Sequence, residues 1–316
     1  MTYNFDPELV EFAAQFPPTL IEDAATARAG LDMMVAGANS ALDVSRLLLE
    51  DREIPGPAGA PSVKIRIYAP RQTRKSRAAL LYIHGGGFIV GSLETEHSVA
   101  ASLAEKLDVV VVSVGYRLAP EFPYPAGLED CYAAWCWLHA NAEPLGLDKE
   151  RVAVFGQSAG GGLSAALALL VRDRRAPPMC FQFLGIPELD DRLQTPSMRA
   201  FTDTPLWNRP NAEVSWRAYL GESYKPGTDD VPAYAAPARA ENLQGLPPAY
   251  ISAMEFDPLR DEAILYGLKL LAAGVAVEMH TFPGTFHGSS LVATAAVSQR
   301  QEREMLDVLR RALRLE

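Results

Sequence analysis

The stretch RVAVFGQSAGG, residues 151–161, decides the reading of this chain. Its first half is an apolar run of strand type, and AGGGLSAALALLVRDRR, which overlaps its end, has the composition of a helix. The joint falls on Gly156-Gln157-Ser158-Ala159-Gly160, which fits G-x-S-x-G. A strand that turns this abruptly into a helix forces its central residue into a strained backbone conformation. Glycines two residues to either side let the chain pass without a Cβ clash. The Ser158 hydroxyl then projects from the end of the sheet, at the positive end of the helix. Alone the motif is common. Between a buried strand and a helix it marks a nucleophile, with a plain Gly-Ser turn as the alternative.

The chain on either side alternates strands and helices. VKIRIYAP (Val63–Pro70) alternates apolar and polar residues as a half-buried strand does. ALLYIHG and DVVVVSVGY are nearly continuous apolar runs, as strands covered on both faces are. GLEDCYAAWCWLHAN reads as a helix. Further on, MCFQFLGI, AYISAMEF and VEMHTF read as strands, DEAILYGLKLLAAG as a helix closed by Gly274, and the last twenty or so residues as an amphipathic helix. This alternation predicts an α/β protein with a mostly parallel sheet and helices on both faces.

Two segments stand outside the alternation. Residues 1–50 carry apolar positions at helical spacing (Leu31, Met34, Val35, Ala38) and are expected to be mostly helical, up to the turn-rich IPGPAGAP at 54–61. Residues 188–236, rich in Trp and Tyr, interrupt the core strands. An insertion there sits over the C-terminal edge of the sheet, where ligands bind. Residues 1–50 and 188–236 are therefore expected to form a helical cap over a catalytic domain of 51–187 and 237–316. A side domain that only packs is the alternative.

Composition narrows the partners. Hydrophobic residues at 48% of 316 suffice for a large core and exclude wholesale disorder. Lys and Arg number 29 against 39 Asp and Glu, a net charge of −10, so neither nucleic acid nor an anionic membrane surface is expected as a partner. No apolar run is long enough to span a bilayer, and MTYNFDPELV lacks the look of a secretory leader. Cys131, Cys136 and Cys180 make no disulfide framework or metal-ligand spacing and are expected to be small core residues in a reducing compartment. The expected location is the cytoplasm.

A nucleophilic serine needs a base, and the base an orienting carboxylate. On a strand–turn–helix scaffold the chain order is Ser, then Asp or Glu, then His. Only His280 and His287 follow Ser158. His280 lies inside VEMHTF and reads as a strand residue; His287, in GTFHGSS, falls on the loop beyond, which makes it the candidate base. AYISAMEFDPLRDE offers Glu255, Asp257 and Asp261. Asp257 directly follows the apolar run and precedes Pro258, as a strand-end residue does, so it is the candidate carboxylate; an N-cap role is the alternative. In LLYIHGGGF, three glycines after a strand let the backbone turn its N–H groups toward a ligand. Gly86 and Gly87, with the N–H of Ala159, are assigned to hold the oxyanion of an acyl-transfer intermediate. His84 reads as a support for this loop.

These residues resemble the α/β-hydrolases of the hormone-sensitive lipase type, bacterial esterase family IV. HGGGF (84–88), YRLAPE (116–121) followed by PYPA, GQSAGG (156–161), DPLRDE (257–262) and the FHG histidine, His287, appear in order. IPELDDRL (186–193), PLWNRPNAEVSW (205–216), YLGESY (219–224) and FPGTFHGS match a narrower branch. The resemblance implies the α/β-hydrolase fold and hydrolysis of short-chain acyl esters, acetyl esters included, by water, without metal or cofactor. One departure is visible: Gln157 stands where the family usually has Asp, which bears on hydrogen bonding near the glycine loop. Phe16, Phe88, Phe201, Leu206, Trp207, Trp216 and Tyr219 are candidate pocket walls, with Phe88, Trp207, Trp216 and Tyr219 first among them; each has plain core packing as its alternative. The last strand could pair with its twin in a homodimer. A receptor-like member of the fold, an amidase, lactonase or peptidase on the same residues, and a structural oligomer stay open as alternative functions.

Overall fold

The computed structural model describes residues 3–16, 20–72, 74 and 76–315. Eight strands among them form one sheet: β1 (Leu47–Ile54), β2 (Val63–Pro70), β3 (Arg77–Ile83), β4 (Val110–Gly115), β5 (Leu147–Gln157), β6 (Gln182–Gly185), β7 (Ala249–Phe256) and β8 (Val277–Phe286). Their order is β1-β2-β4-β3-β5-β6-β7-β8. β1 and β2 pair antiparallel, as do β2 and β4, and every other neighbouring pair is parallel. The helices are α1 (Val10–Gln15), α2 (Ala24–Ala41), α3 (His97–Leu107), α4 (Ala126–Ala140), α5 (Ala159–Asp173), α6 (Pro196–Ala200), α7 (Arg209–Leu220), α8 (Arg260–Ala272) and α9 (Ala296–Ala312).

The strand periodicity of two divides the core between the faces of the sheet. In β3 all seven residues are buried. Leu80 and Tyr82 join Val111, Phe155, Phe183 and Tyr250 in a cluster with α3 and α9. Ala79, Leu81 and Ile83 join Val112 and Val154 in the larger cluster with α4, α5 and α8. α5 is apolar all round because it is covered all round: every residue from Ala159 to Val171 is buried. A third cluster gathers Leu9, Phe282 and Phe286 with Phe5, Phe12 and Phe256, fastening the start of the chain to the ends of β7 and β8.

The sequence reading is corrected at two places. Residues 47–50, counted with the N-terminal helical segment, open β1 instead. This edge strand buries only Leu47 and Ile54 fully, so LLLEDREI carries no alternation; its eight-residue register with β2 makes it a strand. Of the three cysteines only Cys131 is buried, while Cys136 and Cys180 are partly exposed. Residues 1, 2 and 17–19 of the N-terminal segment lie outside the described residues.

The two segments outside the alternation differ in depth. α7 is part of the main core through Ala212, Trp216, Tyr219 and Leu220. α2 buries no residue and is held by polar contacts. Arg28 donates through Nε to Ile89 O (2.7 Å) and through Nη2 to Ala119 O (2.7 Å), and pairs with both oxygens of Glu121 (2.9 and 2.8 Å). The two segments also meet, Ile21 N donating to Asn211 Oδ1 at 2.9 Å. No helix among the described residues is long and apolar enough to cross a membrane.

Candidate active site

β5 ends at Gln157 and α5 begins at Ala159, so Ser158 alone makes the turn, at φ 55° and ψ −125°. This is the left-handed half of backbone space, costly for a residue with a side chain. The flanking glycines are required by contact: a Cβ on Gly156 would lie 2.1 Å from Gly160 O, and one on Gly160 2.1 Å from Ile83 O. Ser158 N donates to Gly185 O at 2.8 Å, and Ser158 O accepts from Gly162 N and Glu188 N at 3.0 and 3.1 Å.

Asp257 directly follows β7 and His287 directly follows β8, neighbouring parallel strands that deliver both residues to the same edge of the sheet. His287 Nδ1 lies 2.7 Å from Asp257 Oδ2. The other carboxylate oxygen accepts from Leu259 N at 2.9 Å, and Asp257 is 1% exposed. A buried carboxylate so held fixes the ring and favours the tautomer with its proton on Nδ1, leaving Nε2 as a base. His280, within β8, instead pairs with Glu304 of α9 at 2.9 Å. Asp261 lies in α8, accepting from Ser197 N (2.7 Å), and Glu255 accepts from Gly284 N (2.6 Å).

The glycine loop follows β3. Gly86 and Gly87 have φ of 111° and 55°, and Ile89 N and Val90 N both return to Gly86 O. His84 supports the loop from beneath: its Nδ1 is 2.8 Å from Gly85 O, its ring stacks on Tyr116 at 4.1 Å, and Tyr116 donates from its hydroxyl to His84 O at 2.9 Å. Burial lowers the His84 imidazole to about 4, so it is neutral and donates from Nδ1. Ala159 is the first residue of α5, where a backbone N–H has no partner within its own helix.

Ser158, His287, Gly86 and Gly87 line one cavity of about 680 Å³. Its other walls include Ile21 and Leu31 from the N-terminal segment, Leu206 and Trp207 from the inserted one, and Met254 and Phe282 from β7 and β8. Trp207 bridges the polar groups: its ring centroid is 5.8 Å from that of His287, and a Cβ on Gly87 would meet it at 2.5 Å. Phe88, Trp216 and Tyr219 do not line this cavity. They pack on each other, Phe88 stacking on Tyr219 at 4.0 Å and tilted to Trp216 at 5.4 Å, inside the main core. Phe16 packs on Phe12, and Phe201 on Tyr3 and Phe256. Gln157 lines the cavity, its side chain against Gly185.

A larger depression, about 1000 Å³, opens at the other edge of the sheet, where β3 and β1 begin. It is lined by Arg46, Arg71, Arg74, Arg77, Arg151 and Arg314 among others, with Glu105 and Asp108. Ser158 and His287 do not line it; they lie at the far end of the strands.

One group at the site was not legible in the sequence. Glu188 is fully buried, and its Oε1 lies 3.0 Å from Ser215 Oγ, which also lies 2.9 Å from Gly87 O. Nothing in IPELDD pointed to a partner 27 positions away on α7.

Residues 80–291 match the family model described as alpha/beta hydrolase fold. The chain is 39% identical to carboxylesterase NlhH of Mycobacterium tuberculosis, over 90% of this chain and 88% of that one. It is 35% identical to an ethyl acetate hydrolase of Pseudomonas putida, over 72% of this chain and 71% of that one. The solved structure of a bacterial heroin esterase superposes with a TM-score of 0.96 at 52% identity, over 98% of each chain.

Proposed function

Since the chain belongs to the α/β-hydrolase family, as a carboxylic ester hydrolase of the hormone-sensitive lipase type, we propose that it is a serine esterase acting on short-chain acyl esters through an acyl-Ser158 intermediate. The observation that carries this reading is the 2.7 Å contact of His287 Nδ1 with buried Asp257, at the cavity into which the strained Ser158 turn opens.

The steps follow from the residues. His287 Nε2 takes the proton of Ser158 Oγ as Oγ bonds to the ester carbonyl carbon; Asp257 stabilises the imidazolium. The carbonyl oxygen becomes an oxyanion, held by the N–H groups of Gly86, Gly87 and Ala159. The intermediate collapses, the C–O bond to the alcohol breaks, and the imidazolium protonates the leaving oxygen. Water then repeats the sequence on the acyl-serine, with His287 again as base, and releases the acid. Gly87 and His287 both lie against Trp207, so the acyl group reacts beside a flat apolar wall.

Two features support a small acyl group and a larger alcohol. The relatives include an ethyl acetate hydrolase and a heroin esterase. The cavity extends well beyond the polar groups, under Ile21 and Leu31. The described part of the N-terminal segment that precedes β1, together with residues 188–236, is proposed as the cap that selects the alcohol. The test is a series of p-nitrophenyl esters from acetate to palmitate with the wild type and Ser158→Ala. Rates should peak at short chains, and the variant should fold normally and lose about four orders of magnitude in kcat. A variant retaining half the activity would remove Ser158 as nucleophile; a peak at long chains would remove the substrate class.

A further inference from the structure

Ser215 Oγ lies between two oxygen atoms, Gly87 O at 2.9 Å and Glu188 Oε1 at 3.0 Å. A serine hydroxyl has one hydrogen. If Glu188 were ionised, two acceptors would compete for that hydrogen, and the second carboxylate oxygen would be unsatisfied as well: Oε2 is buried with no hydrogen-bond partner, in a residue 0% exposed. The competition for the hydrogen ends if Glu188 brings its own proton on Oε1, and Oε2 is then an uncharged carbonyl oxygen rather than part of a buried anion. Its O–H then donates to Ser215 Oγ, and Ser215 donates to Gly87 O. This relay ends on the carbonyl of the glycine whose N–H is assigned to the oxyanion, and it starts on a residue whose own N–H holds Ser158 O at 3.1 Å.

We propose that Glu188 is a positioning residue that works as a neutral acid, fixing the oxyanion loop through Ser215 and switching catalysis off when it loses its proton. The proposal rests on the assignment of Gly87 to the oxyanion. The surroundings favour the neutral form. From the elements packed around it Glu188 faces Asp257 beyond β7, Glu262 on α8, Tyr116 beyond β4 and Tyr219 on α7. None of these four can carry a positive charge. Burial first, then the Asp257 charge, push the Glu188 carboxyl up to about 8, the Ser215 hydrogen bond acting in the opposite sense. Burial also lifts both tyrosines well above their ordinary range, so neither titrates with it. Ionisation would break the relay and place a negative charge beside the group that must stabilise an oxyanion.

The test uses three variants of the full chain. Glu188→Gln keeps a donor toward Ser215 and cannot ionise. It should keep wild-type kcat at pH 7 and hold it at alkaline pH, where the wild type falls roughly ten-fold per unit beyond its midpoint. Ser215→Ala and Glu188→Leu should each lower kcat about ten-fold with little change in KM, and the double variant should lose no more than either alone. An alkaline limb unchanged in Glu188→Gln, or wild-type kcat in a folded Ser215→Ala, overturns the proposal. Infrared spectra separate this from the esterase reading: a protonated-carboxyl band at pH 7 that Glu188→Gln removes establishes the neutral acid without turnover, and a spectrum unchanged by that substitution refutes it. Loss of the esterase reading shows separately, as turnover independent of Ser158.

Discussion

Ser158, the proposed nucleophile, sits at a strained point of the backbone. At φ 55° and ψ −125° it occupies a conformation that glycine tolerates and serine does not. Ser158→Gly should therefore unfold at higher denaturant than Ser158→Ala, by about 1 kcal/mol, because alanine keeps the strain and glycine relieves it at some cost in unfolded-chain entropy. Equal midpoints would mean that the strain is no larger than the entropy glycine costs. That Ser158, Asp257 and His287 stand at the ends of parallel strands on one edge of the sheet could be read in the sequence, because the apolar runs marked those ends. Trp207 was legible as a wall for a similar reason: it lies in the insertion that the alternation of strands and helices isolates. Glu188 was not, since its role depends on one hydroxyl hydrogen shared with a residue on another element. Phe88, Trp216 and Tyr219 misled because large aromatics mark cores as readily as pockets.

Among the elements, α2 and α7, both in the proposed cap, are attached in two different ways. α7 buries Trp216 and Tyr219 in the main core, whereas α2 rests on the fork of Arg28, which reaches two carbonyls and Glu121 at once. Arg28→Ala should leave the melting temperature nearly unchanged, yet lower kcat/KM on the order of ten-fold for esters of bulky alcohols, which would contact Ile21 and Leu31, and less for ethyl esters. Lysine should not restore it, lacking the planar fork. An equal loss on both substrates would detach α2 from alcohol selection. The elements legible in sequence are those whose burial imposes either a period, as in β2 and α9, or an unbroken apolar run, as in β3. β1 escaped because an edge strand with charges along LEDRE has neither a period nor an apolar run.

Across the whole molecule, buried titratable groups pull stability in opposite directions with pH. His84 and His139 are lowered from 6.5 to about 4 by burial, aided at His139 by the Lys149 charge. Folding leaves them neutral, so stability present above 6.5 is lost as pH falls toward 4, on the order of 3 kcal/mol for His84. Glu188 and Glu262 are raised from 4.5 by burial, Glu188 to about 8. Their contribution is whole below 4.5 and is lost as pH rises through the folded values. The slopes oppose each other between 4.5 and 6.5, so urea denaturation should give a plateau there and falling stability on either side. A maximum near pH 9 would contradict the neutral state of the buried glutamates.

The aromatic cluster that joins Tyr3, Phe5 and Phe12 to Phe256 and Phe286 also sets an order of events during synthesis. A ribosome makes the chain from its first residue, and these rings emerge some 250 residues before the strands they pack against. These rings therefore cannot be seated until β7 and β8 have been made, and they then close onto the strand that presents His287.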